Sequence, residues 1–323
     1  MLDFFQAVSD GVLFGATYAL IGIGFTLVFG VMHKINMAYA AASIGGAYAG
    51  LLVLKVIAAA PPALVFLGAF AAGGLLGWMV YLTCFHFIPL SSPLATLMST
   101  VGMLLLIDEV IVHVTQGMPQ NYPAMFDDVM LRAGEFTLRG DLLLVFGVAV
   151  VCMAALMLLL YRTRLGLATR AVSQQPVAAR LCGIRLEQVN ATTFVITGLL
   201  GGIAGALIGA SVGTLSPLLT TPLTVKGLIV TVIGGLGSIP GAIVAGLLVG
   251  GFENVLQLYR GVTERDLYVM LLLFVFLVFR PGGILPPRAA ETSPWISISA
   301  WCRSSACTRC SAFRPTSCCS PGR

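Results

Sequence analysis

The sequence predicts an all-α protein, a polytopic transmembrane helical bundle of about eight helices with one broken segment near 226–252. Three observations lead there. The 323 residues are 58% hydrophobic and only 10% charged, with a mean hydropathy of +0.98, whereas a soluble chain carries roughly a quarter charged residues. Apolar runs recur at close to the ~20 residues that one helix needs to cross a bilayer core. The 37 glycines fall mostly inside those runs, where small residues let helices approach closely. A lipid bilayer is therefore the expected surrounding.

The start, MLDFFQAVSDG, has no basic n-region, and the apolar stretch after it is too long for a cleavable signal peptide. Spans are expected near 11–31, 37–57, 62–84, 94–114, 142–161, 191–212, 227–252 and 267–280. On the first, Gly22, Thr26 and Gly30 fall every four residues; on the sixth, Gly201, Gly205, Gly209 and Gly213 do the same. Such stripes serve tight helix–helix contact, with a permeation wall as the alternative. Asn36 and Tyr39 sit where the second helix enters the bilayer. Asn36 suits a helix cap, and both are also candidates for lining a pathway near a gate.

Asp108 and Glu109 are read as the only acids well inside a span. Ionisable groups in lipid point to function, and His113 stands four residues after Glu109 on the same face. A proton relay and a hydrated position near the boundary are both open. Beyond this span, the 115–141 connection is acidic on balance, with Asp127, Asp128, Glu135 and Asp141 against Arg132 and Arg139, and fits the outer side. The 162–190 connection holds Arg162, Arg164, Arg170, Arg180 and Arg185 against Glu187 and fits the cytoplasmic side. A single span separates these loops, so the two assignments agree.

Three further spans would leave Arg280 and the C-terminus outside, where basic residues are disfavoured. The conflict points to the seventh segment, whose first half either crosses or re-enters: Gly234, Gly235, Gly237, Ser238, Pro240 and Gly241 crowd its centre, and proline costs about 3 kcal/mol in a helix interior. Two half-helices joined by an irregular turn are expected, with the turn buried in protein or lining a cavity.

The formal charge of +5 comes largely from residues 288–323, which hold five arginines and one glutamate. The remainder is nearly neutral, and nucleic-acid binding has no support. His33, His86 and His113 are far apart, and no metal-ligand spacing occurs before the tail. The GGLGS run at 234–238 lacks the lysine of a nucleotide loop, so this chain is expected to have no metal, no resident cofactor and no ATPase activity. The tail is rich in Arg, Ser and Pro and holds Cys302, Cys307, Cys310, Cys318 and Cys319. It reads as frameshift-derived or disordered, which sets domain limits of 1–287 and 288–323.

Four stretches, 18–36, 162–194, 232–250 and 271–285, resemble the permease subunits of bacterial branched-chain amino acid ABC importers of the LivH type. The pairing of AARLCGI at 178–184 with GGLGSIPG at 234–241 is specific. The resemblance implies a translocation path for branched-chain or related amino acids in the bacterial inner membrane. It also implies partners: two ATP-binding subunits that hold ATP and Mg, a second homologous permease subunit, and a periplasmic substrate-binding protein. In such importers a short cytoplasmic helix couples the permease to the ATPase. Carried onto this chain, that segment is Gln174 to Ile184, with Gln174, Gln175, Ala178, Ala179, Arg180, Gly183 and Ile184 as coupling residues. Pro176 suits the first turn of that helix. Val177 stands where the family often has an acid, and Met37-Ala38-Tyr39-Ala40 replaces an aromatic-Ala-His-Gly turn. The competing reading is a stand-alone proton-coupled secondary transporter using Asp108 and Glu109, for which a docking loop would have no purpose.

Overall fold

In the computed structural model, residues 2–56, 62–88, 93–122, 130–133, 136–280 and 282–285 are described. Residues up to Pro286 form one compact unit; the remainder, Pro287–Arg323, lies outside the described residues. So does most of the acidic stretch containing Asp127, Asp128 and Glu135.

Eleven α-helices are present among the described residues: α1 (Leu2–Met32), α2 (Ala38–Val56), α3 (Pro62–Tyr81), α4 (Pro93–Thr115), α5 (Gly140–Arg162), α6 (Arg164–Gln174), α7 (Pro176–Leu181), α8 (Leu186–Val212), α9 (Thr220–Gly234), α10 (Ile239–Arg260) and α11 (Val262–Phe279). A π-helical turn at Leu82–His86 extends α3. By length and composition, α1, α3, α4, α5, α8, α9 and α10 are able to cross a membrane, and α2 supplies a shorter apolar helix.

Contacts fix the direction of each long helix. Tyr81 at the end of α3 donates to the Glu187 carbonyl at the start of α8, and Lys34 after α1 donates to Thr96 at the start of α4. At the other end, β1 (Gln120–Asn121) after α4 pairs antiparallel with β4 (Thr214–Leu215) after α8. A hairpin of β2 (Met130–Ala133) and β3 (Phe136–Arg139) precedes α5. The arginine-rich 162–185 segment therefore shares one end of the bundle, here the basic end, with the close of α1, α3, α9 and α11. The strands mark the opposite end.

The broken segment is resolved by this arrangement. The break is at Gly235–Ser238, and each half is a full helix, α9 running to the basic end and α10 returning from it. Gly235 and Gly237 take φ of +104° and +88°, a region that only glycine enters freely. The Ser238 hydroxyl accepts from the Gly241 N–H at 3.3 Å and caps α10, while Pro240 sits in the first turn, where its missing N–H is harmless. The turn is closed by the segment after α11: Ile284 N–H reaches the Ile233 carbonyl at 2.8 Å and Leu285 N–H the Gly234 carbonyl at 3.3 Å. Those carbonyls, orphaned at the end of α9, gain donors.

Glycine packing holds the core. Gly73 and Gly77 of α3 face Gly198 and Gly202 of α8, and a Cβ on Gly77 would stand 2.9 Å from the Gly198 Cα. Gly11 and Gly15 of α1 face Gly246 and Gly250 of α10, where a Cβ on Gly246 would stand 2.5 Å from the Ala19 Cα. The expected stripe on α8 is real for Gly201 and Gly205, which receive Tyr39 and Ser43 of α2, and for Gly209, which receives Tyr122. Gly213 is a different device. At φ +75° it ends the helix, its N–H bonded to Gly209, in the left-handed cap position. On α1, Gly22 meets Val230 and Ala242, and Gly30 meets Gly237.

Candidate functional site

Polar chemistry concentrates where α1, α9, α10 and α11 meet. Lys226 Nζ lies 2.7 Å from Glu253 Oε1 and 3.1 Å from Asp266 Oδ1. Arg265 Nε lies 2.9 Å from the same Glu253 oxygen and 3.6 Å from Asp266. Tyr18 donates its hydroxyl proton to Glu253 at 3.2 Å and accepts from Lys226 at 3.3 Å. The two cations and two anions cancel. The network sits deep: the side chains of Lys226 and Glu253 are 9% and 4% exposed, and Tyr18 is about 21 Å along α1 from the helix end at Met32. A lone charge there would be costly; a neutral, ion-paired set is the form in which a bilayer protein tolerates it.

Above the network, toward the end opposite the arginine loop, a cleft of ≈ 270 Å³ opens. Asp10 and Phe14 of α1, Leu142 of α5, Ser211 of α8 and Asn254 of α10 form its walls, and Glu253 and Arg265 its base. Glu253 spends one oxygen, Oε1, on Lys226, Arg265 and Tyr18; Oε2 takes no hydrogen bond among the described residues.

Sequence reasoning overlooked this constellation. It ended the seventh span at 252 because the uncharged run stops there, whereas α10 continues through Glu253 to Arg260. Asp108 and Glu109 are thus not the only acids within a span. A signal was available: Lys226 and Glu253 flank the broken segment, and a hairpin folded at 235–238 brings its two arms side by side.

The residues singled out as pathway candidates do structural work here. Asn36 Oδ1 accepts from the Ala38 N–H at 3.1 Å and caps α2. Tyr39 is buried, edge-on to Phe25 at 5.1 Å, between α1 and α8. Gly234, Gly235, Gly237, Ser238 and Pro240 form the turn at the basic end. Asp108 is half-buried near Tyr48, whereas Glu109 and His113 lie exposed on α4, and no hydrogen bond joins that pair among the described residues.

The 162–185 segment folds as two short helices. Thr163 accepts from Gly166 N–H at 3.2 Å and starts α6, which Arg170 ties to α5 by lying 5.1 Å over the Tyr161 ring. Gln175 is extended, as a residue before proline must be, and Pro176 opens α7. The helix closes with Ile184 N–H on the Ala179 carbonyl at 3.1 Å and Gly183 on Arg180 at 3.0 Å, a glycine-capped end. Val177 and Leu181, one turn apart, are 76% and 85% exposed. Gln174, Gln175, Ala178, Arg180 and Gly183 are exposed too and Ile184 partly so, but Ala179 turns inward and is buried. Ala179 seats α7 on its own chain instead of offering an approach surface. Nothing crowds Gly183; its φ of +83° explains the glycine.

Comparison with known proteins agrees with these features. The family model for the permease component of branched-chain amino acid transport systems matches residues 7–279. The chain is similar to the high-affinity branched-chain amino acid transport system permease protein LivH of Escherichia coli K12, at 29% identity over 88% of this chain and 96% of that one. Its similarity to BraD of Pseudomonas aeruginosa, a permease protein of the same kind of system, is 30% over 87% and 95% respectively. Among solved structures it is similar to an inward-facing ABC transporter assigned to the metal-chelate type, with 16% identity, a TM-score of 0.49 and 85% of each chain covered. The chain belongs to the permease-component family of branched-chain amino acid transport systems.

Proposed function

We propose that this permease subunit forms half of the membrane pathway of an ATP-driven importer for branched-chain or related amino acids, in the bacterial inner membrane. A second, homologous permease completes the pathway, two ATP-binding subunits holding ATP and Mg drive it, and a periplasmic binding protein delivers substrate. The arginine-rich end is cytoplasmic by the excess of positive charge, and the cleft above Glu253 opens to the periplasm.

The observation that carries this reading is α7. Val177 and Leu181 present bare apolar side chains beside Ala178 and Arg180, on a helix outside the spanning bundle. Large apolar groups displayed together on a polar loop mark a protein contact, and α7, seated on its own chain through buried Ala179, is placed to pass a push to α8. Coupling thus runs through Gln174, Gln175, Ala178, Arg180, Gly183 and Ile184, with Ala179 as the internal seat.

Uptake of labelled leucine by cells carrying the four-component system tests the proposal. Leu181→Asp and Ala178→Trp should abolish uptake and co-purification of the ATPase while membrane insertion persists. Wild-type uptake by both variants would sink the coupling assignment.

A further inference from the structure

We propose that the periplasmic cleft between α1, α5, α8 and α10 is a binding subsite for a free zwitterionic amino acid, with the substrate's α-ammonium on Glu253 and its carboxylate on Arg265. The inference rests on the importer reading for its substrate class and adds a place where this subunit itself holds the substrate.

Four features converge. Glu253 Oε2 is a buried carboxylate oxygen, unsatisfied among the described residues, at the base of an open cleft. Leaving such an atom bare is costly in a closed protein, and an ammonium donor supplies what it lacks. Arg265 is the complementary group. Its Nε is on Glu253 and one terminal nitrogen donates to Gln257 at 3.2 Å, while its side chain remains 27% exposed at the cleft. Lys226, Glu253, Arg265 and Asp266 cancel among themselves and Asp10 on the wall adds one negative charge. A ligand carrying both signs therefore meets Glu253 and Arg265 without adding net charge to the site, whereas a lone cation or anion changes it. Phe14 and Leu142 offer apolar wall for a branched side chain, and ≈ 270 Å³ lies just under the range of drug-sized pockets, which suits a molecule of a few heavy atoms.

Ser211 reports occupancy without touching the ion network: its hydroxyl donates to its own helix at Ile208. In the complete importer in sealed, right-side-out vesicles, Ser211→Cys is labelled with a membrane-impermeant maleimide and the parent's labelling is subtracted. Free leucine should slow labelling by 1 + [leucine]/Kd, about tenfold at ten times the Kd by mass action. 4-Methylpentanoate, lacking the ammonium, and 3-methylbutylamine, lacking the carboxylate, should not slow it. Adding Glu253→Gln should remove the protection. If leucine leaves labelling unchanged while the unaltered complex imports leucine, the subsite is wrong and the importer reading stands. If leucine protects but the complex imports no branched-chain amino acid, the subsite stands and the importer reading falls. Protection by either one-sided analogue equal to that by leucine overturns the zwitterion assignment.

Discussion

Ile284 donates its backbone N–H to the Ile233 carbonyl at 2.8 Å, and with Leu285 on the Gly234 carbonyl it joins the segment after α11 to the glycine turn between α9 and α10. Gly283, at φ +83°, lies against the Gly235 backbone. A Cβ there would collide with the Gly235 Cα. Gly283→Ala and Ile284→Pro should each destabilise the fold by about 1–3 kcal/mol, the first through backbone strain and the second through an abandoned carbonyl. Thermal unfolding in detergent reads the loss, and a shift no larger than that of a surface control would contradict the assigned role.

The charge network makes a different prediction. Lys226→Met leaves Glu253 and Asp266 facing Arg265 alone, and breaking a buried pair from one side costs about 3–5 kcal/mol. Lys226→Met combined with Glu253→Gln restores neutrality through Arg265 and Asp266, so the double variant should be more stable than either single one. Strict additivity of the two effects would show that the charges are not coupled.

Much of the architecture could be read from sequence, and the reasons are specific. Most spans follow from apolar length, although α10 runs beyond its uncharged stretch to Arg260 and α11 is not among the helices able to cross. The break at 235–238 was visible because glycine and proline cannot continue a helix there. That Gly213 caps α8 and does not continue its stripe was hidden, since spacing alone cannot separate a packing glycine from one with positive φ. The Lys226–Glu253 pair was hidden for a related reason. A charge at the edge of an apolar run looks like the end of a span until the partner helix is placed beside it.

The same distinction sorts glycines by mutation. Gly202→Val and Gly77→Val should be strongly destabilising, because a side chain there meets the backbone of α3 or α8, and overpacking costs about 1–3 kcal/mol or more. Gly102→Ala and Gly147→Ala meet nothing within 4 Å and should gain up to about 1 kcal/mol of helix stability. Unfolding midpoints of the four variants provide the check.

Gly183 tests conformation against space. With an open surrounding and φ +83°, Gly183→Asn should retain most uptake, because asparagine tolerates the left-handed region, while Gly183→Val should lose it. Equal losses in both would mean that the partner's surface, and not the backbone, demands the glycine.

The glycine contacts between α1 and α10 join segments far apart in the chain: Gly11 and Gly15 await Gly246 and Gly250. Ribosomal synthesis runs from the N-terminus, so the first helix enters the membrane long before its main neighbour exists. Until then Tyr18 lacks Glu253, and the small-residue face of α1 lacks the glycines of α10 that close on it. The tightest glycine seam of the first helix therefore forms only once the last third of the chain has been made.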